Sequence, residues 1–158
     1  MERISKPNYY LDIAQTVAKR GTCLRRKFGC IIVKNDIIVS TGYNGAPRGR
    51  KNCCDMGFCQ REHMGIPRGE RYELCRSVHA EANAIIAAPR ETMLDADVCT
   101  SPENGEVVPH VCSCQMCKKL VINAGIAHVI VRETETDFTV YNVGDWITDD
   151  DSLGTIGY

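Results

Sequence analysis

Asp97-Val98-Cys99-Thr100, then Cys114-Gln115-Met116-Cys117-Lys118-Lys119-Leu120-Val121-Ile122-Asn123, then Ile126-Ala127-His128-Val129-Ile130-Val131: this is how the chain runs between residues 97 and 131. The outer pieces are short and rich in β-branched residues, the pattern of buried strands. The middle piece reads as a helix that ends before Gly125. Strand, helix and strand in that order predict a right-handed parallel crossover. Upstream, Val78 to Ala88 is rich in Ala and Ile and stops at Pro89, which predicts a buried helix. Cys30-Ile31-Ile32-Val33, a polar turn at Lys34-Asn35-Asp36, and Ile37 to Thr41 predict an antiparallel hairpin. Residues 8–20 carry Tyr9, Tyr10, Ile13, Ala14, Val17 and Ala18 at helical spacing, with Asn8 as the cap and Gly21 as the stop. Phe138 to Tyr141 is a further strand, residues 101–111 a loop, and the tail with Asp149, Asp150 and Asp151 an exposed end. Strands alternating with helices make a mixed α/β sheet covered on both faces.

Residues 42–76 break this order. They hold Gly, Pro, many charges and four cysteines, with little periodicity. A loop that long inside a compact domain needs a function or something that holds it. Cysteine is the composition's main signal, at ten of 158 residues. That is below the roughly 8–10% of a secreted disulfide scaffold. The start, Met1 to Pro7, has no apolar run and no cleavage site, so no export signal is visible and a cytoplasmic location is expected. Cysteines in that compartment serve metals or catalysis more often than disulfides. No apolar stretch is long enough for a membrane span. With 19 Lys+Arg against 20 Asp+Glu, the net charge is −1, and the chain has one Trp, three Phe and six Tyr. A nucleic-acid partner therefore has neither a basic stripe nor a stacking platform to bind.

Two segments carry the chemistry. One is His79-Ala80-Glu81 and the other Cys114-Gln115-Met116-Cys117. Cysteines three apart share a helix face, and a helix start favours thiolates. One imidazole and two thiolates suit Zn²⁺, and three protein ligands leave a fourth position open, as catalytic zinc requires. A base beside such a metal would be useful, and Glu81, two residues from His79, is the candidate. Residues i and i+2 do not face each other inside a helix, so His79 and Glu81 meet only if the first turn brings both to one point. Alone, the Cys-x-x-Cys pair also fits a redox pair or half a structural zinc knuckle, and a lone His fits a core or surface residue. Together the segments match the arrangement of zinc deaminases of cytosine and adenine, in which the Glu is a proton shuttle and not a ligand.

From about Tyr9 to Val131 the chain resembles the cytidine/deoxycytidylate deaminase superfamily, and within it the bacterial and phage dCMP deaminases. The resemblance rests on the metal motifs together with Gly42-Tyr43-Asn44-Gly45-Ala46-Pro47-Arg48-Gly49, Gly69-Glu70-Arg71-Tyr72-Glu73-Leu74-Cys75, His79 to Ile85, and Ile122-Asn123-Ala124-Gly125-Ile126. It implies a three-layer α/β/α fold with a mixed central sheet of about five strands, in a single zinc-dependent deaminase domain over residues 1–158. It implies a catalytic zinc on His79, Cys114 and Cys117, with Glu81 shuttling protons as water replaces the amine at C4 of a cytosine mononucleotide, most simply dCMP. The alternatives are another aminated base or a modified nucleotide, and a zinc-stabilised binding module without turnover. Asn44 matches an asparagine that contacts the sugar in relatives, although Asn-Gly is also a turn signal. Arg26 and Arg48 suit a phosphate, or simply a solvated charged face.

The resemblance further implies a homo-oligomer, often a hexamer in relatives, and dCTP and dTTP as effectors. Some relatives carry a second, structural zinc in the cysteine-rich region. Here its ligands would be Cys23, Cys59, Cys75 and one of Cys53 and Cys54. Counting back from Gly57 selects Cys54, and counting forward from Gly49 selects Cys53. Cys30 and Cys99 fall in apolar strands and read as small core residues. The chain departs from the family pattern in placing Ser113 before Cys114, where the family has proline. The loop over 101–111 is long, and Cys112 offers an alternative ligand.

Overall fold

The computed structural model describes residues 1–103 and 114–149. Most of the 101–111 loop, Cys112 and the end of the tail lie outside them. The first helix, α1, spans Lys6–Ala18 and starts earlier than expected. Ser5 caps it in place of Asn8, accepting a hydrogen bond from the Asn8 amide. Pro7 sits in the first turn, where the missing N–H is not needed. Lys19 ends the helix, two residues before Gly21.

Strands β1 (Phe28–Lys34) and β2 (Ile37–Tyr43) form the hairpin, each longer than expected. Asn35 and Asp36 both have positive φ, 51° and 64°. Two such residues match the right-handed twist of the strands they join. The cysteine-rich segment holds two short helices, α2 (Cys53–Met56) and α3 (Gln60–His63), and a 3-10 turn at Tyr72–Leu74. The expected helix at 78–88 is α4, Ala80–Ile86, followed by α5, Arg90–Met93. Pro89 stands at the N-cap of α5, so it separates two helices and does not simply stop one.

The crossover unit is β3 (Asp97–Pro102), α6 (Gln115–Ala124) and β4 (His128–Arg132), and β3 and β4 pair in parallel. Gly125 closes α6 in the left-handed region. Strand β5 (Phe138–Asn142) pairs antiparallel with β4, and an unforeseen helix, α7, covers Val143–Thr148. The sheet is mixed, five-stranded, in the order β2-β1-β3-β4-β5.

Strand alternation sorts the core into two faces. Ile31, Val33, Cys99 and Ile130 pack against Tyr10, Leu11 and Ala14 of α1. Cys30, Ile32, Val98, Val129 and Val131 pack against Ala80 and Ala84 of α4, Val121 and Ala124 of α6, and Val143 and Trp146 of α7. The three expected layers are therefore present, and Cys30 and Cys99 are the buried core residues their strands predict. Two glycines set the layer spacing. A Cβ on Gly29 would stand 1.9 Å from the Ala14 carbonyl oxygen, and one on Gly42 would stand 2.4 Å from the Ala80 oxygen and the Ala84 nitrogen. No helix among the described residues is long and apolar enough to cross a membrane.

One buried charge ties α1 to β4. The Arg132 guanidinium donates to Asp12 at 2.7 Å, to Gln15 at 2.9 Å and to the Asn8 carbonyl at 3.3 Å. Its side chain is 1% exposed, whereas that of Asp12 is 53% exposed. Removing the carboxylate strands a buried cation. Asp12→Ala is expected to cost about 2–3 kcal/mol, moderated by the partners that remain. Urea titration measures it, and an unchanged midpoint would show the pair to be dispensable.

Candidate metal centre

Each candidate ligand sits at a helix start, and main-chain contacts help set both starts. Val78 exchanges hydrogen bonds with Gly45 at 2.7 and 3.1 Å, so the chain entering α4 is pinned beside the end of β2. The Asn83 side chain, one turn on, donates to the Tyr43 carbonyl at 2.8 Å. His79 is the N-cap of α4, with extended backbone angles of −68° and 155°. It therefore stands outside the helical repeat, while Glu81 is in the first turn. This satisfies the condition that two residues at i and i+2 share one pocket. Cys114 is the N-cap of α6, and its sulfur accepts a hydrogen bond from the Cys117 amide at 3.4 Å.

The ligand atoms converge. His79 Nδ1 lies 3.2 Å from Cys114 Sγ and 3.4 Å from Cys117 Sγ. Among the described residues this is the one group of three such side chains whose ligand atoms all lie within 4.8 Å of one another. Cys117 and Glu81 are buried, and the Cys117 thiol donates to Glu81 Oε2 at 3.8 Å. Hydrogen bonding from Cys117, reinforced by His79, holds the Cys114 thiol well below the usual thiol range. Its hydrogen bond to Cys114, together with burial, pushes Cys117 upward. His79 is raised, chiefly by its hydrogen bond to Cys114. Burial raises Glu81 against the opposing pull of His79. A soft N,S,S donor set fits Zn²⁺. The buried carboxyl beside it is a candidate proton acceptor and donor.

Residues 4–133 match the family described as the cytidine and deoxycytidylate deaminase zinc-binding region. The chain belongs to that family. It is 33% identical over 128 residues to the deoxycytidylate deaminase of Schizosaccharomyces pombe, covering 81% of this chain and 37% of that protein. It is 34% identical over 135 residues to the deoxycytidylate deaminase of Mycobacterium phage D29, covering 82% of this chain and 96% of that one. The chain thus spans under two-fifths of the yeast protein and nearly all of the phage protein. Among solved structures, the apo dCMP deaminase of cyanophage S-TIM5 superposes with a TM-score of 0.56 at 25% identity, covering 79% of this chain and 80% of that one.

The remaining candidates of this cytidine/deoxycytidylate deaminase family member lie upstream of α4. Asn44 is buried, its Oδ1 accepting from the Phe28 amide at 2.9 Å and its Nδ2 donating to the Arg26 carbonyl at 2.8 Å. It braces the turn that leads into β1. Arg26 is half-buried and Arg48 exposed. Of the vicinal cysteines, Cys53 is buried, whereas Cys54 is exposed with its thiol on Asp55. Burial raises the Cys53 thiol, and Cys23, Cys75 and Cys59 reinforce the shift. Cys53, buried and close enough to feel Cys23, Cys59 and Cys75, is therefore the member of the vicinal pair that keeps their company. Sequence reasoning overlooked Tyr72 and Arg61. Tyr72 packs its ring against His79, and Arg61 lies over Tyr72. Only Tyr72 falls within a motif run, Gly69 to Cys75, immediately ahead of the histidine motif; Arg61 falls in none.

Proposed function

We propose that the chain is a zinc-dependent hydrolytic deaminase that converts dCMP and water to dUMP and ammonia. One observation carries the reading: the buried Glu81 carboxyl touches Cys117 of the His79, Cys114 and Cys117 set. A purely structural metal has no use for such a carboxyl. The names of the yeast and phage relatives support the substrate. His79, Cys114 and Cys117 would hold the zinc, which when bound supplies a Lewis acid that lets water act as a nucleophile at neutral pH. Glu81 takes the proton that the water loses on attacking C4 and delivers it to ring N3; it then takes the remaining proton from the new C4 hydroxyl and passes it to the amine, which leaves as ammonia as the C4–N bond breaks and the C4 carbonyl forms. Burial serves this role, because it raises the carboxyl and makes it a better proton acceptor than an exposed one.

In this reading Asn44 contacts the sugar. Its carboxamide oxygen keeps a second lone pair and its nitrogen a second hydrogen beyond the two main-chain bonds it makes. Arg26 and Arg48 bind the phosphate. The chain works as a single domain in the cytoplasm, as a homo-oligomer on the hexameric plan, with dCTP and dTTP as effectors. Light scattering coupled to size exclusion checks the assembly. A panel of nucleosides, mono- and triphosphates, followed by ammonia release, tests the substrate. dCMP is expected to give the highest kcat/KM. Preference for another aminated base or a modified nucleotide would replace dCMP, and no ammonia from any member would leave a binding module.

The proposal includes a second, structural zinc on Cys23, Cys53, Cys59 and Cys75, which would close the long loop by metal binding. The influence of Cys23, Cys59 and Cys75 on the buried Cys53 thiol supports it, and the sulfurs must draw together around the ion. Metal analysis is expected to find about two zincs per chain, falling to about one in Cys53→Ser and unchanged in Cys54→Ser. About one zinc in the parent chain removes the second site.

A further inference from the structure

Tyr72 of the irregular segment reaches the metal centre. Tyr72, in the 3-10 turn ahead of α4, places its ring centroid 5.5 Å from that of His79, with the planes at 79°. The Arg61 guanidinium lies 4.4 Å from the Tyr72 centroid. Arg61 is only 5% exposed, and it donates to the carbonyls of Pro67 and Glu70. The cation is therefore anchored in the main chain of the loop that leads to Tyr72, and it bears on the ring from a fixed base.

An imidazole ligand works only if its ring is held in one orientation, and the groups around the ligands commonly do the holding. Here both sulfur contacts fall on Nδ1. Rotation of the ring about its bond to Cβ would carry Nδ1 away from both. An edge-to-face aromatic contact resists that rotation, and a cation over the second ring fixes the first contact in turn. We propose that Tyr72, braced by Arg61, is a positioning residue that keeps His79 Nδ1 turned toward Cys114 and Cys117. This rests on the reading of His79 as a zinc ligand. The contact belongs to the ring and not to the phenol hydroxyl, so phenylalanine should serve as well as tyrosine.

The test uses the full chain, with zinc affinity measured by chelator competition and the visible spectrum of the cobalt-substituted protein as a second readout. Tyr72→Leu, which keeps apolar bulk but removes the ring, is expected to weaken zinc binding about 10-fold and to shift the cobalt bands. Tyr72→Phe is expected to match the parent in both. Arg61→Met should weaken binding in the same direction, and should add nothing in a Tyr72→Leu background, because it acts through that ring. Parent-like affinity and spectrum in Tyr72→Leu overturn the proposal. So does a Tyr72→Phe variant as weak as Tyr72→Leu, or an Arg61 effect that persists without the ring. Full zinc binding by His79→Ala would instead sink the ligand assignment itself, which keeps the two failures apart.

Discussion

Glu81→Gln is expected to lower dCMP turnover by about 10³-fold while the zinc content of the metal centre stays at the parent level. Glutamine keeps the shape and the polar contacts of the side chain but cannot accept or release a proton. General acid–base groups contribute about 10²–10⁴-fold. Glu81 is asked to act at more than one step of the same cycle, which places it toward the upper part of that range. A 10³-fold loss corresponds to about 4 kcal/mol of transition-state stabilisation. The metal should remain, because the three atoms that converge belong to His79, Cys114 and Cys117, and Glu81 meets them only through the Cys117 thiol at 3.8 Å. Steady-state kinetics and metal analysis of one preparation make the measurement. Near-normal turnover would remove Glu81 from the chemistry, and loss of zinc with turnover would make it a ligand.

Cys117→Ala is expected to have the other large effect, and on a different observable. Four-ligand zinc sites bind with roughly 10–16 kcal/mol, so one ligand is worth about 3 kcal/mol, or at least about 10²-fold in affinity. Cys117 is 2% exposed and stands between His79 and Glu81, so alanine also leaves the buried carboxyl without its thiol partner. The variant should lose catalytic zinc on dialysis and show no measurable ammonia release. A ligand that binds only the folded state raises its stability by mass action. Stripping zinc with a chelator should therefore lower the parent's Tm more than that of Cys117→Ala. A variant that keeps its zinc and its activity would point to Cys112 as the working sulfur.

The crossover and the hairpin were legible because their signals are local. Val98, Val129 and Val131 sit in β-branched runs, Gly125 marks the end of α6, and Asn35-Asp36 is a turn pair that tolerates positive φ. The metal triad was legible because i and i+3 spacing puts two sulfurs on one helix face. The start of α1 was misplaced because Ser5 and Pro7 together outweigh Asn8 as a start signal. Helix α7 escaped notice because it has only six residues, one of them Gly144, and is held by Trp146 and Val143 from the distant core. Adjacent residues such as Cys53 and Cys54 cannot be separated by counting. Their difference arises from the direction in which α2 leaves its cap. Tyr72 and Arg61 were invisible for a related reason, since their tie to His79 is a tertiary contact.

The candidate site of this protein is positioned by an absence. His79 and Glu81 ride on the first turn of α4, and α4 lies on β2 at a distance set by the missing side chain of Gly42. A single methyl there would act like a shim under a hinge plate. It would lift the imidazole and the carboxyl together, away from the sulfurs on α6, while every ligand remained in the chain. Activity can therefore be lost at a residue with no chemistry of its own, and a damaged enzyme could still carry an intact set of motifs.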